Sequence, residues 1–164
     1  MIEIDYQKTE LLILLIAILF CIVPRLIEFL VRKVKAHYRY KRYLNSPLAA
    51  IDRMSGEEFE EYLAAHFRKL GYRVKLTPKS NDFGADLILK KDGMCIVVQA
   101  KRYREKIGVK AVQEIIGAKG YYKADKMMVV SNSFFTSSAC KLADANGVEL
   151  WDRNTINKLF KISM

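Results

Sequence analysis

The sequence predicts an α/β domain, a mixed β-sheet flanked by helices, preceded by one long apolar helix at the N-terminus. Three observations carry that expectation. The segments 86–89 and 94–98 are rich in aliphatic and β-branched residues and are separated by Asp92-Gly93, a hairpin signal. After Val109, helical patterns alternate with short apolar runs, as in βαβ units. Ahead of both, residues 11–23 are apolar without a charge.

Those 13 residues fall short of the roughly 20 that span a bilayer. Continued through Pro24, Arg25 and Glu28 to Val31, the run reaches 21 residues, with one charge of each sign three positions apart and able to pair on a helix. A helix apolar around its whole circumference has little place in the core of a small domain. A cleaved signal peptide is disfavoured, because residues 1–10 are net acidic and no small-residue cleavage pattern follows. The expected organisation is a short extracytoplasmic N-terminus over 1–10, a transmembrane helix over 11–31, a basic juxtamembrane linker over 32–50 and a catalytic domain over 51–164. Arg32, Lys33, Lys35, Arg39, Lys41 and Arg42 follow the apolar run, whereas only Lys8 precedes it. The positive-inside rule then makes the chain a single-pass protein of the cell membrane with its C-terminal domain cytoplasmic. Tyr38, Tyr40 and Tyr43 interleave with these cations, a pattern that suits lipid headgroups first and nucleic acid second.

In the C-terminal part, Phe59, Leu63, Phe67 and Leu70 define an amphipathic helix over 55–70, opened by Ser55 and Glu58 as a capping box. Glu57, Glu58, Glu60 and Glu61 crowd its first turns, where negative charge meets the helix dipole favourably. Side chains alternate along a strand, so Cys95, Val97, Gln99 and Lys101 share one face while Ile96, Val98 and Ala100 share the other. Antiparallel pairing brings Asp86, at the start of its strand, beside Gln99 and Lys101 at the end of the next. Beyond the hairpin the pattern predicts helices over 109–122, 137–146 and 152–160, with strands over 126–130 and 148–151. Gly147 ends the middle helix.

One carboxylate, one amide and one ammonium therefore converge. Taken singly, a turn aspartate and a strand-end lysine need no chemistry; their meeting on one hairpin edge suggests some. Phosphodiester hydrolysis needs a hard cation, and Mg²⁺ is usually held by only one or two carboxylates, with water and substrate oxygens completing its shell. Asp86 would supply the carboxylate, and the Gln99 amide oxygen and Ala100 carbonyl further ligands. Lys101 would orient the attacking water and offset developing negative charge.

Several motifs recur in a recognisable order: Phe59-Glu60, Leu70-Gly71-Tyr72-Arg73-Val74, Asn81-Asp82-Phe83-Gly84-Ala85-Asp86-Leu87-Ile88, Val97-Val98-Gln99-Ala100-Lys101-Arg102-Tyr103 and Val112-Gln113-Glu114. From about Met54 to Leu159 the chain resembles the catalytic domain of the Mrr-type restriction endonucleases, a branch of the PD-(D/E)XK nuclease superfamily. The resemblance implies a restriction-endonuclease-like fold and Mg²⁺-dependent hydrolysis of DNA. It implies that Glu60 joins Asp86 and Gln99 at the metal, with Lys101 serving the attacking water. The superfamily more often has Asp or Glu where Gln99 stands, and the Mrr-like branch uses Gln. Asp82 matches a residue common in the family and would support the active site, although Asn-Asp-x-Gly is equally a turn signal. Gln113 would face the metal region or be a plain surface residue.

Of 164 residues, 28 are Lys or Arg and 18 Asp or Glu, a net charge of +10; residues 44–164 hold 20 and 14. About 115 residues beyond anchor and linker make one compact domain, with no room for a separate DNA reader. The basic balance suits a polyanionic partner. Arg102, Arg104, Lys106 and Lys110, just after the catalytic strand, are the expected contacts to a phosphate backbone, with a solvated basic loop as the plainer account. Cys21, Cys95 and Cys140 lack metal-ligand spacing and are expected to be small buried residues. His37 and His66 suggest neither zinc nor a nucleophilic triad, and no phosphate-binding Gly-rich loop appears.

The leading expectation is a membrane-anchored, Mg²⁺-dependent DNA endonuclease of the type IV Mrr-like kind. Its partners would be DNA, membrane lipid through the N-terminal helix, and a second copy, since one such domain cuts one strand. The alternatives are a non-catalytic membrane-tethered nucleic-acid-binding module, and a nuclease acting on RNA or branched DNA.

Overall fold

A computed structural model describes residues 6–78 and 83–160. The chain forms two compact units, 1–41 and 42–164. The first is almost all helix, part of α1 (Tyr6–Leu44), which runs unbroken through Pro24. Its most apolar 18-residue window has a mean hydropathy of 2.6, and the helix is long and apolar enough to cross a membrane by length and composition. Its apolar side chains are exposed, Phe20 at 81%. Glu28 pairs with Arg32 at 3.8 Å in the i,i+4 geometry.

The second unit is built on a five-stranded mixed sheet in the order β1-β2-β3-β4-β5. A short α2 (Leu48–Ile51), which periodicity did not reveal, leads to α3 (Gly56–Lys69). The expected capping box is present: Ser55 Oγ accepts from Glu58 N at 3.1 Å, and Glu58 Oε2 accepts from Ser55 N at 2.9 Å. Such a cap is worth about 1 kcal/mol. Strands β1 (Arg73–Leu76), β2 (Leu87–Lys91) and β3 (Met94–Lys101) form an antiparallel meander. Asp92 and Gly93 take φ 50° and 80°, the left-handed pair of a type I′ turn, so Lys91 faces Met94 and Leu87 faces Val98. Helix α4 (Val109–Tyr122) then crosses over to the parallel β4 (Lys126–Ser131), and α5 (Ser137–Asn146) to the parallel β5 (Val148–Trp151), followed by α6 (Arg153–Phe160). Thr136 caps α5, its hydroxyl accepting from Ala139 N at 3.2 Å, and Gly147 at φ 65° ends it.

Strand alternation sorts the core into two layers. Val97, Met127 and Val129 pack with Val112 and Ile115 of α4 and Ala139 of α5. The opposite residues, Leu87, Leu89 and Val98, are fully buried with Phe59, Tyr62, Leu63 and Phe67 of α3. That second layer is aromatic: Phe67 meets Trp151 at 5.3 Å and Phe160 at 5.8 Å between ring centroids. His66 stacks on Phe160 at 4.3 Å, 2% exposed. Burial pushes His66 down to about 4, against the opposing effect of its bond to the Tyr43 carbonyl. The cysteines correct one expectation: Cys21 and Cys140 are exposed, on helix faces turned away from any core, and Cys95 is half-buried.

Candidate active site

The site begins with how Asp86 is held. Its N–H donates to Val98 O at 2.8 Å, and its carbonyl accepts from Thr77 N and Thr77 Oγ1, both at 3.0 Å. Thr77 Oγ1 also reaches Ala85 O at 2.6 Å. Backbone on both sides thus fixes Asp86 one residue before β2, opposite Gln99. The carboxylate oxygen Oδ2 then accepts from Gln99 Nε2 at 2.5 Å and from Ala100 N at 2.7 Å.

Gln99 is 5% exposed and has spent only its amino group on Asp86. Its Oε1 is buried without a hydrogen-bond partner. An unmade bond of this kind costs about 1–3 kcal/mol, and an acceptor left bare beside a carboxylate suits a cation. The Asp86 and Gln99 oxygens are hard donors of the sort Mg²⁺ prefers. Among the described residues, no three His, Cys, Asp or Glu side chains gather as a metal cluster, so the fit rests on this carboxylate–amide pair. Glu60 is half-buried on α3, next to the fully buried Phe59 and so at the margin of that helix's core face.

Lys101 shares the Gln99 face of β3, and its Nζ meets Glu114 Oε2 of α4 at 2.6 Å, with the two side chains 24% and 30% exposed. Its carbonyl accepts from Ser131 Oγ at 2.7 Å, which ties the end of β3 to β4. Glu114 was not singled out by sequence reasoning. The available signal was helical phase: Ala111 and Ala118, three residues before it and four after, are buried, whereas Gln113 points to solvent. Gly84 sets the depth at which the Asp86 loop meets α4. It adopts φ 90°, and a Cβ there would overlap the carbonyl group of Glu114. Only glycine lets these two backbones approach so closely.

Lys101 and Glu114 line a cleft of about 180 Å³ with Tyr103, Lys106 and Lys110. Arg102 is half-buried, while Arg104, Lys106 and Lys110 are exposed. The structure therefore gathers Asp86, Gln99, Lys101 and the basic segment on one edge, where β3 ends. Asp82 lies outside the described residues.

A second polar set lies at this edge, beyond the ends of β4 and β5. Arg153 holds both oxygens of Asp52, at 2.6 and 2.9 Å, and donates to Asn132 O at 3.1 Å. Asn132 Nδ2 donates to Asp52 Oδ1 at 2.9 Å, and Asn132 Oδ1 accepts from Tyr103 N at 2.8 Å. The Arg153 bond, reinforced by Asn132 and outweighing burial, holds the Asp52 carboxyl below its ordinary range.

A five-stranded mixed sheet flanked by helices, opening with an antiparallel meander, is a restriction-endonuclease-like fold. Residues 51–160 match the catalytic-domain family described as restriction endonuclease, and the chain belongs to that Mrr-type family. Among solved structures, it is similar to the DNA modification-dependent restriction endonuclease AspBHI, at 20% identity and a TM-score of 0.55, over 75% of this chain and 35% of that one. It is also similar to AF1548, a protein of unknown function, at 16% identity and a TM-score of 0.48, over 55% of this chain and 54% of that one. The chain thus spans about half or less of the length of either structure. No curated protein matches the sequence.

Proposed function

We propose that the chain is a membrane-anchored, Mg²⁺-dependent DNA endonuclease. The observation that carries this reading is the buried, unpartnered Oε1 of Gln99 beside the doubly hydrogen-bonded carboxylate of Asp86, in a domain of the restriction endonuclease family. Asp86 and Gln99, with Glu60, would hold the cation, which when bound polarises the phosphate and lowers the pKa of water.

The chain's own groups do the rest. Ala100 N and Gln99 Nε2 keep Asp86 in one orientation, so no rearrangement is needed when substrate arrives. The Lys101 ammonium, one face-repeat beyond Gln99, orients the attacking water and stabilises charge on the phosphorane-like transition state. Glu114 holds that ammonium against the cleft wall. Arg102, Arg104, Lys106 and Lys110 meet the DNA backbone and position the scissile bond without reading sequence. Helix α1 inserts in the bilayer, and the cations from Arg32 to Arg42 keep the nuclease domain on the cytoplasmic side. Two copies acting together would give a double-strand break.

The test uses supercoiled plasmid with the full-length protein in detergent. Mg²⁺-dependent nicking that is lost on chelation and in Lys101→Ala supports the reading; nicking indifferent to both would sink it. Extraction of membranes with alkaline carbonate checks the anchor, which predicts that the protein stays in the pellet.

A further inference from the structure

The domain exposes four aromatic side chains among its described residues: Phe83, Tyr103, Tyr121 and Phe134. Two of them satisfy each other, since Phe83 and Tyr121 stack at 3.8 Å with an interplanar angle of 24°. Tyr103 and Phe134, 58% and 42% exposed, have no ring partner among the described residues. Both lie just beyond the carboxyl ends of the adjacent parallel strands β3 and β4, and both line one cleft of about 390 Å³ together with Arg104. That size falls in the range of small-ligand sites, roughly 300–1,000 Å³. Tyr103 also lines the cleft of Lys101 and Glu114, so the two hollows adjoin at this residue.

What the cleft can bind follows from which of its groups are already committed. Both Asp52 oxygens are bound to Arg153, and the side chain of Asn132 is spent on Asp52 and on the Tyr103 N–H. The amide and carboxylate are thereby held in place by Arg153 and by each other. They fix the floor and, through Asn132, the backbone of Tyr103. Besides the Ser133 side chain, what remains to face a ligand is two aromatic surfaces and the Arg104 guanidinium, which forms no ion pair with a described residue. Flat faces plus a cation are the chemistry of base stacking beside a phosphate, which tolerates any base because every base has a π-face.

We propose that this cleft is a subsite for an unstacked nucleobase of the DNA strand next to the scissile phosphate, with the ring taken by Tyr103 and Phe134 and the adjoining phosphate by Arg104. The proposal rests on the reading of the chain as a DNA nuclease and narrows its substrate. A base in an intact duplex has both faces covered, so the subsite selects single-stranded, gapped or locally opened DNA.

The experiment measures binding apart from cleavage. Full-length Lys101→Ala protein in detergent, without divalent cation, is titrated with a single-stranded oligonucleotide carrying 2-aminopurine and with its fully paired duplex. The single strand is expected to bind roughly ten-fold more tightly, with a change in 2-aminopurine emission on stacking. Tyr103→Ala and Phe134→Ala, checked for an unchanged melting temperature, should each weaken it by roughly 5- to 100-fold. Tyr103→Phe should bind as the parent does, and so should Tyr121→Ala. Equal affinity for the duplex, or single-strand binding indifferent to both alanine variants, overturns the proposal. Ring-dependent binding by a protein that cuts nothing would remove the nuclease reading and leave the subsite. Lys101-dependent cutting without ring-dependent binding would do the reverse.

Discussion

Two polar sets sit at the same edge of this sheet, and they are built from the same parts. One is Asp86, Gln99 and Lys101; the other is Asp52, Asn132 and Arg153. Each has an acid, an amide and a cation. They differ in closure. In the second set the guanidinium grips both oxygens of the acid, and the amide spends both its ends on protein. In the first, the amide's buried oxygen is left bare and the cation is drawn away from the acid, to Glu114. A closed set spends its polarity on holding the fold. An open one keeps some for a ligand and carries the cost of a buried acceptor without a bond.

If that contrast is right, damage to the open set should show in rate and damage to the closed set in stability. The largest expected effect is on Lys101→Ala and Asp86→Asn, each lowering Mg²⁺-dependent nicking by about 10³-fold, with the melting temperature of Lys101→Ala close to wild type. Next comes Gln99→Leu, which removes the bare oxygen and should weaken Mg²⁺ affinity by about 10- to 100-fold, measured as the Mg²⁺ concentration for half-maximal rate. Glu114→Gln keeps the shape but not the charge, and should lower kcat by about ten-fold with little change in KM. The smallest is Arg153→Met, expected to cost about 1 kcal/mol because the pair is partly solvent-screened, or about 2–8 °C in melting temperature. Its pH dependence has a definite sign. The folded-state carboxyl of Asp52 is depressed, so the wild-type advantage is fully present above 3.8 and shrinks as pH falls through the lower folded value. His66, whose burial costs stability as pH drops from 6.5 towards 4, titrates in both proteins and cancels from the difference. An advantage that persisted unchanged in acid would break the comparison.

The closed set also shows where sequence reading stops. Asp52 and Arg153 are 101 positions apart and Asp52 and Asn132 are 80, and no local pattern marks them as neighbours. The hairpin was legible because its signals are short-range: the Asp92-Gly93 turn and the alternation from Cys95 to Lys101 place Asp86 against Gln99 without help from the rest of the chain. The helix over 109–122 was legible as an element, yet which of Gln113 and Glu114 meets Lys101 depends on about 100° of helical phase. That phase is set by how α4 docks on the sheet. Four-residue α2 is too short for a period, and the exposed Cys140 shows that composition alone does not tell which side of a helix packs.

Gly84 ties these pieces together in space. Its backbone lies directly against the Glu114 backbone, so the loop that presents Asp86 and the helix that pairs with Lys101 constrain each other's position. The hairpin by itself sets the aspartate and the glutamine in register, whereas the lysine's partner comes from α4. The edge that carries Asp86, Gln99 and Lys101 is therefore complete only with residue 114 in place, a long-range condition on a site whose other members pair locally.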